Sequence, residues 1–289
     1  GVNGDSTARQ YNISIGHYTS AKLTSGKENI ALGSQAGCNI ADHCYNVAIG
    51  YMSGRCMAGN DNIFIGCEAG KGSSTLGDNT GAENIVIGNN AGNSLCDGGC
   101  NTLIGRSAAG SLTSGGKNVV IGHSAMVRGT TQDNNIAIGS CAMYGNGTTA
   151  PTGNFNIAIG FDTLKEICTG TLNVALGWKT GDSVTEGSNN TFIGGYAGCS
   201  VTAGTHNTII GYQAGYNVTG SHNIVIGCQA SPPNNSGNSQ LAIGHGPNDA
   251  CHFIVGTTTC LAFVGLGVTM CAPTAATSCV MAYKFCGDG

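Results

Sequence analysis

One five-residue motif, Asn-x-x-Ile/Leu-Gly, recurs along most of this chain and restricts its fold more than any other feature. A further copy begins with Gln240 in place of Asn. The spacing is 16 or 17 residues, apart from two longer steps of 22 and 21 residues. A unit this short cannot bury a core alone, so successive copies must stack on one another. The thirteen Asn copies begin at Asn12, Asn29, Asn46, Asn62, Asn84, Asn101, Asn118, Asn135, Asn156, Asn173, Asn190, Asn207 and Asn223.

The apolar positions of the motif predict a short β-strand in every copy. The residue one position after the Asn is Ile, Val or Thr, and the residue three positions after it is Ile or Leu. The residue between them is apolar in every copy but the first, which has Ser14. Because successive side chains of a strand point to opposite faces, these strands should be buried on both faces. We expect the flanking pair to fill the coil interior and identical chains to cover the central residues.

Small residues mark the corners of each copy. Gly ends the motif in all fourteen copies, where it suits a corner that leaves no space for a Cβ atom. An Ala, Ser or Thr follows three residues later and suits a second, closely packed strand. Each copy therefore predicts two strands and two turns, stacked as a parallel β-solenoid of about fourteen coils. At a rise of about 4.8 Å per coil, the rod should be about 65–70 Å long.

Stacking in register would place each repeat Asn above the Asn of the preceding coil. An Asn side chain both donates and accepts hydrogen bonds, so such a column can bond along the stack and satisfy backbone groups of the turns. We predict that the thirteen repeat Asn residues form a structural Asn ladder.

The regular spacing divides the chain into three parts. Residues 1–11 form an N-terminal lead-in, and residues 12–244 form the repeat array. Residues 245–289 lose the repeat and predict an irregular β neck or cap, because the ends of a solenoid need residues that differ from its middle.

Two copies carry insertions, at 71–83 and 144–153. Insertions in solenoids form loops that often bind a partner, although they also arise as tolerated variation in loop length. The residues that would contact a receptor are Ser74, Asp78, Asn79, Tyr144, Asn146 and Thr148.

Exposed polar and aromatic residues raise two further possibilities. Asn-x-Ser/Thr sequences at Asn146, Asn217 and Asn234 are candidate glycosylation sites in predicted loops. Tyr51, Tyr196, Tyr212 and Trp178 lie at or near the corner Gly residues of their copies. Such aromatic side chains could stack on sugars or pack against the neighbouring coil.

The titratable residues do not form a recognisable reactive motif. The fifteen acidic residues are spread through predicted loops and turns, unlike the paired carboxylates of sugar hydrolases. The fifteen Cys residues include no C-x-x-C motif. They could be buried thiols, form disulfides within or between chains or, least favoured, bind a metal ion. His206 and His222 should lie close together, as two turn residues or as a metal- or pH-sensitive pair. We predict no catalytic site, no metal site and no cofactor.

Charge and composition limit the partners. Only 9% of residues are charged while 40% are apolar, which favours a regular hydrogen-bonded scaffold. The net charge of −4 offers no basic surface for nucleic acid. No apolar run reaches 18 residues, so we expect no membrane insertion.

The stretches NNTFIGGYAG, HNTIIGYQAG and HNIVIGCQA resemble the head repeat of trimeric autotransporter adhesins. They resemble even more closely the repeat arrays in long tail fibres of phages and large algal viruses. In those fibres a self-cleaving chaperone follows a segment to which VGLGVTMCAP, residues 264–273, is similar. The resemblance spans about residues 12–275. It implies a left-handed β-roll and a homotrimer, either intertwined or side by side.

We therefore expect a structural fibre protein of a virion, not an enzyme, that forms a rigid trimeric rod and displays loops for attachment to a host. Its partners would be its own copies, other fibre or virion proteins at the rod ends, and a host-surface glycan or protein receptor. Its location would be the virion surface, as a tail fibre, or the extracellular space. The alternative is a cell-surface adhesin or extracellular fibre subunit of a microbe. A polysaccharide-cleaving spike and an ice-binding solenoid are less well supported.

Overall fold

The computed structural model describes residues 11–56, 58–72, 80–145, 147, 151–246, 252–256, 260–263 and 268–271. Within these ranges the chain is all-β, with seventeen strands and no helix. The strands are β1 (Ile13–Ile15), β2 (Ile30–Leu32), β3 (Val47–Ile49), β4 (Ile63–Ile65), β5 (Ile85–Ile87), β6 (Thr102–Ile104), β7 (Val119–Ile121), β8 (Ile136–Ile138), β9 (Ile157–Ile159), β10 (Val174–Leu176), β11 (Thr191–Ile193), β12 (Thr208–Ile210), β13 (Ile224–Ile226), β14 (Leu241–Gly244), β15 (His252–Gly256), β16 (Cys260–Phe263) and β17 (Val268–Cys271).

Strands β1 to β14 build a parallel β-solenoid, as the repeat predicted. Each strand pairs in parallel with the next one along the chain, and equivalent positions of the motif lie opposite one another, as in Thr102 with Val119. One repeat therefore forms one coil. Beyond β14 the pairing becomes antiparallel through β15, β16 and β17.

Our prediction of a second strand in each coil is wrong. The residues after the corner Gly form turns instead, because some of them adopt left-handed backbone angles, for example Gln35 with φ 58° and Gly37 with φ 55°. Such angles break an extended strand. The turns still bond from coil to coil, since the Gln35 amide donates to the His17 carbonyl at 2.8 Å and the Gly37 amide donates to the Ser53 carbonyl at 2.9 Å. Stacking therefore does not require an extended conformation here.

The two strand faces are also reversed relative to our expectation. The central residue of each strand from β2 to β14 fills the interior of its own coil and is buried within a single chain. In the β6 coil, Leu103 shares the buried core with Ala108 and Leu112. The coil is narrow, so one strand residue, a small turn residue and one further apolar side chain fill it. The first and third residues of β1 to β14 point outward, and we call this surface the outer face.

Side-chain volumes in the interior compensate one another. Where the central residue is Phe192, the turns around it contain Gly181 and Gly198, and a Cβ atom at either would come within 2.9 Å of the ring. In the β8 coil the central residue is only Ala137, and the same turn position holds buried Met143. Each coil therefore reaches close packing with a different combination of residues.

The invariant corner Gly has a direct steric cause. At Gly105 an added Cβ atom would lie 2.5 Å from the carbonyl oxygen of Gly122 in the next coil, and φ is +129°. The obstructing atom belongs to the backbone, so no rotamer change could relieve the overlap. The backbones of successive coils can approach this closely only without a side chain.

Candidate functional site

The repeat Asn side chains form a continuous hydrogen-bonded column along the solenoid. In a typical step, the Asn118 amide and the Asn118 Nδ2 both donate to Oδ1 of Asn101, each at 3.0 Å. Asn118 Nδ2 also donates to the Gln132 carbonyl at 2.7 Å, and Asn118 Oδ1 accepts from the Asn135 amide at 3.0 Å. One side chain therefore bonds to both adjoining coils and to a turn, and we call the column from Asn12 to Asn223 the Asn ladder.

The ladder continues through the two insertions and reaches Gln240. Across the 22-residue step, the Asn84 amide donates to Asn62 Oδ1 at 3.0 Å, and across the 21-residue step the Asn156 amide donates to Asn135 Oδ1 at 2.8 Å. The Gln240 amide donates to Asn223 Oδ1 at 3.0 Å, so Gln continues the pattern. The extra residues thus leave the stacking register unchanged.

The outer face is a flat apolar surface along one side of the rod. Its two rows contain only Ile, Val, Leu and Thr, without a charged residue. Most of these side chains are half-buried by their neighbours within the sheet, while Ile85 is 39% exposed and Ile224 is 43% exposed. The rows span about 60 Å, so the apolar surface continues along the whole stack of parallel strands.

Most of the predicted receptor-contact residues lie outside the described residues. These are Ser74, Asp78, Asn79, Asn146 and Thr148. Tyr144 is described and is half-buried, with the Arg128 guanidinium 5.4 Å from its ring centroid. Its ring therefore contributes to packing beside the insertion.

The candidate glycosylation residues differ in their surroundings. Asn146 lies outside the described residues, whereas Asn217 and Asn234 are exposed. Asn234 Oδ1 accepts from the Ser236 amide at 3.1 Å and from Ser236 Oγ at 2.9 Å, which forms a tight local turn.

Ten cysteines of the described part are thiols. These ten residues form no disulfide. The described part of the chain contains no group of His, Cys, Asp and Glu side chains that could hold a metal ion. Burial raises the pKa of the Cys56, Cys96 and Cys199 thiols. Raised pKa values keep these thiols protonated and unreactive at neutral pH.

Two groups of titratable residues bring side chains of successive coils together, one a pair and the other a group of three. The rings of His206 and His222 stack in parallel at 4.8 Å and are exposed. Asp162 is buried and lies 3.7 Å from Lys165 Nζ and 3.8 Å from Lys179 Nζ. The His pair and the Asp162–Lys179 contact join successive coils, whereas Asp162 and Lys165 belong to one coil, and neither group forms an enclosed site.

Asp182 lies beside this charge group, and with Gln132 it is one of two exceptions to good polar pairing among the described residues. Its Oδ1 atom is buried and has no hydrogen-bond partner among the described residues. Burial raises the pKa of Asp182, and the positive charges of Lys165 and Lys179 offset part of that effect. The ionised carboxylate is therefore less favourable in the folded protein than in the unfolded chain.

We expect the Asp182→Asn substitution to stabilise the protein at neutral pH. A raised folded pKa favours folding below the unfolded pKa, and this contribution is lost as the pH rises through the folded pKa. The gain at about pH 7 should be below about 1 kcal/mol, because solvent screens a partly buried group, and it should vanish near about pH 3. Urea unfolding of both proteins at the two pH values measures it.

Asp61→Asn supplies the control, because Asp61 is exposed and its left-handed backbone angle suits Asn equally well. An equal gain in this control, or a gain in Asp182→Asn that persists at acidic pH, would contradict the assigned cause.

Four aromatic residues form a partly exposed cluster at one corner of the solenoid. Tyr196 is at its centre, with ring centroids 4.8 Å from Trp178, 6.5 Å from Tyr212 and 6.2 Å from Tyr216. Trp178 and Tyr212 are each 50% exposed, and Tyr216 is 41% exposed. We call these four residues the aromatic cluster. The sequence indicated three of them but missed Tyr216, which follows the corner of its coil by five residues.

A cleft adjoins the aromatic cluster at Tyr216. Its volume is about 320 Å³, and its other walls come from Gln213, Asn217, Gln229, Ala230, Ser231 and Asn235. Gln229 Nε2 donates to Gln213 Oε1 at 3.0 Å, so two coils together orient this pair of amides. The cleft is polar and carries no formal charge on its lining residues. Sequence reasoning missed the cleft because its walls come from separate coils.

In the part of the chain that the structure describes, no helix is long and apolar enough to cross a membrane. Comparisons of the chain with protein-family models, with curated proteins and with solved structures found no match.

Proposed function

We propose that this chain is the rod-forming subunit of a virion fibre, in which three copies associate through their outer faces and display loops for attachment to a host surface. The observation that carries the proposal is the outer face, where two uncharged rows of Ile, Val, Leu and Thr extend along all fourteen parallel strands. The resemblance of the repeat to viral fibre arrays supports the virion as the location.

A second copy of the same chain is the best match for the outer face. Its side-chain rows repeat at the spacing of neighbouring strands, about 4.8 Å, over the length of the rod. A partner needs the same spacing to pack along the whole surface, and an identical chain has it. The outer face is only two rows of side chains wide, which suits three narrow faces packed around one axis. Association would remove this continuous apolar surface from water.

The Asn ladder supports a mechanical function for the rod. At every step of the ladder the backbone amide donates to the Asn side chain of the preceding coil, so bending or shearing the stack would disturb bonds between many coils. A stiff trimer holds three copies of every surface loop at fixed spacing. Three weak contacts to a host surface would then reinforce one another through effective concentration. In this proposal the rod performs display and catalyses no reaction.

The mass of residues 1–289 in solution under reducing conditions tests the proposal. We expect light scattering to give three times the chain mass, and electron microscopy to show straight rods. Reducing conditions ensure that disulfides between chains do not create the oligomer. A stable monomer would contradict the shared apolar core, and a dimer would contradict the threefold arrangement.

A further inference from the structure

We propose that the aromatic cluster and its adjoining cleft form a binding site for a neutral cell-surface glycan. This inference deepens the proposed attachment function and rests on it. It places recognition on the side of the rod, in the coils of β10 to β13, and not in the insertions at 71–83 and 144–153.

The rings present the first part of such a site. Trp178, Tyr212 and Tyr216 are exposed by about half, yet Tyr196 contacts all three and restricts their movement. An aromatic face combines an apolar surface with a negative quadrupole, which favours the C–H groups on one side of a sugar ring. A preordered platform also loses little side-chain entropy when it binds.

The fold itself does not require these aromatic residues. Trp178 and Tyr212 occupy the position directly after the corner Gly, where other coils carry residues as different as Arg106, His123 and Ser140, as well as the aromatic Tyr51 and Phe161. A position that accepts a cation, an imidazole and a hydroxyl serves no common packing function. The clustering of four rings within three successive coils therefore needs a different explanation, and a ligand supplies one.

The cleft provides the polar part of the site and restricts the ligand chemistry. Amide groups of Gln213, Asn217, Gln229 and Asn235 line it, together with the hydroxyl of Ser231. Amides and hydroxyls both donate and accept hydrogen bonds, as sugar hydroxyl groups do. Anionic sugars would call for Arg or Lys, which bind carboxylates and sulfates strongly, and neither residue lines the cleft. Aromatic faces beside neutral amides therefore point to a neutral glycan.

A single residue can report binding. The chain has one Trp, which is Trp178, so the intrinsic Trp fluorescence comes entirely from the aromatic cluster. The full chain, produced in a host that does not glycosylate Asn217, is first screened on an array of neutral oligosaccharides built from hexoses, deoxyhexoses and N-acetylhexosamines. The array also holds sialylated and sulfated oligosaccharides. Ligands that bind are then titrated against the Trp178 fluorescence, where we expect a saturable change.

Variants test the assignment to this site. We expect Tyr212→Ala and Gln229→Ala each to weaken binding by about tenfold, since each removes one contact of a weak, few-contact site. Tyr51→Ala is the matched control, because Tyr51 occupies the same repeat position as Tyr212 and is similarly exposed, in a distant coil. Its affinity should equal that of the unmodified chain. Circular dichroism verifies that all three variants are folded.

Each remaining outcome has a definite meaning. Three outcomes would overturn the assignment of this site. They are binding to no neutral member of the array, binding only to the anionic members, and equal weakening of binding by Tyr51→Ala. Light scattering on the same samples separates this result from the proposed rod. A trimer that binds no glycan would contradict the site alone, whereas a monomer that binds a neutral glycan through Tyr212 would support the site and contradict the trimer.

Discussion

Replacing Asn118 by Ala should lower the free energy of unfolding by about 3–5 kcal/mol, because it leaves buried polar groups without partners. The Asn135 amide would lose its acceptor, and the Gln132 carbonyl would lose the donor now 2.7 Å away. Asn118 is fully buried, so water cannot replace these bonds without opening the stack. The loss is large because one side chain serves two coils and a turn.

Urea unfolding followed by circular dichroism, at one protein concentration, measures this effect. Asn89→Ala is the control, because Asn89 is an exposed Asn outside the ladder, two coils before the coil of Asn118. Its free energy of unfolding should change by no more than about 0.5 kcal/mol. Hydrogen exchange should also show faster exchange of the Asn135 amide in Asn118→Ala. Equal stability of the two variants would show that the ladder adds little to the rod.

Placing two Lys residues on the outer face, as Ile121→Lys and Ile138→Lys together, should reduce the mass in solution from three chains to one. Both side chains are the third residues of their strands, and both are half-buried within one chain. In the proposed trimer they would bring six positive charges into a shared apolar core. Desolvation and repulsion of unpaired buried charges cost several kcal/mol for each ion. This cost exceeds the favourable energy of the packing around each side chain.

The control adds the same charge elsewhere, with Ser111→Lys and Ser114→Lys. Both Ser residues are exposed in a turn of the neighbouring coil, so this variant should remain trimeric. Val120→Lys, one position before Ile121, should instead unfold the coil, since Val120 lies in the interior. A trimer that survives both outer-face substitutions would rule out this face as the interface.

The repeat allowed much of the fold to be predicted. The two predictions that were wrong, the second strand and the inward-facing column, have a common origin. Parallel pairing, register and the order of the coils follow from motif spacing, because equal spacing allows only one way to align each copy with the next. The second strand could not be excluded, since the left-handed conformation of residues such as Gln35 leaves no distinct trace in residue type. Likewise, Ala137 and Phe192 share one column, and neither size nor polarity indicated that this column faces inward.

The candidate site could be predicted only in part. Repeat alignment placed Trp178, Tyr196 and Tyr212 near the corners of their coils, where they could stack on sugars or pack against the neighbouring coil. Tyr216 belongs to a different column, and only the turn geometry brings its ring to 6.2 Å from Tyr196. The hydrogen bond from Gln229 to Gln213 likewise depends on how two turns are superimposed.

The sequence by itself determined the solenoid, its rung order and the composition of its Asn column, because a short repeat can bury its apolar positions only by stacking in register. The tertiary structure decided which strand face is internal, how different side-chain volumes share the narrow core, and which surface residues meet across coils. The physical reason is that periodicity specifies translation along the rod, whereas the path of the chain around each coil depends on backbone angles and packing in three dimensions.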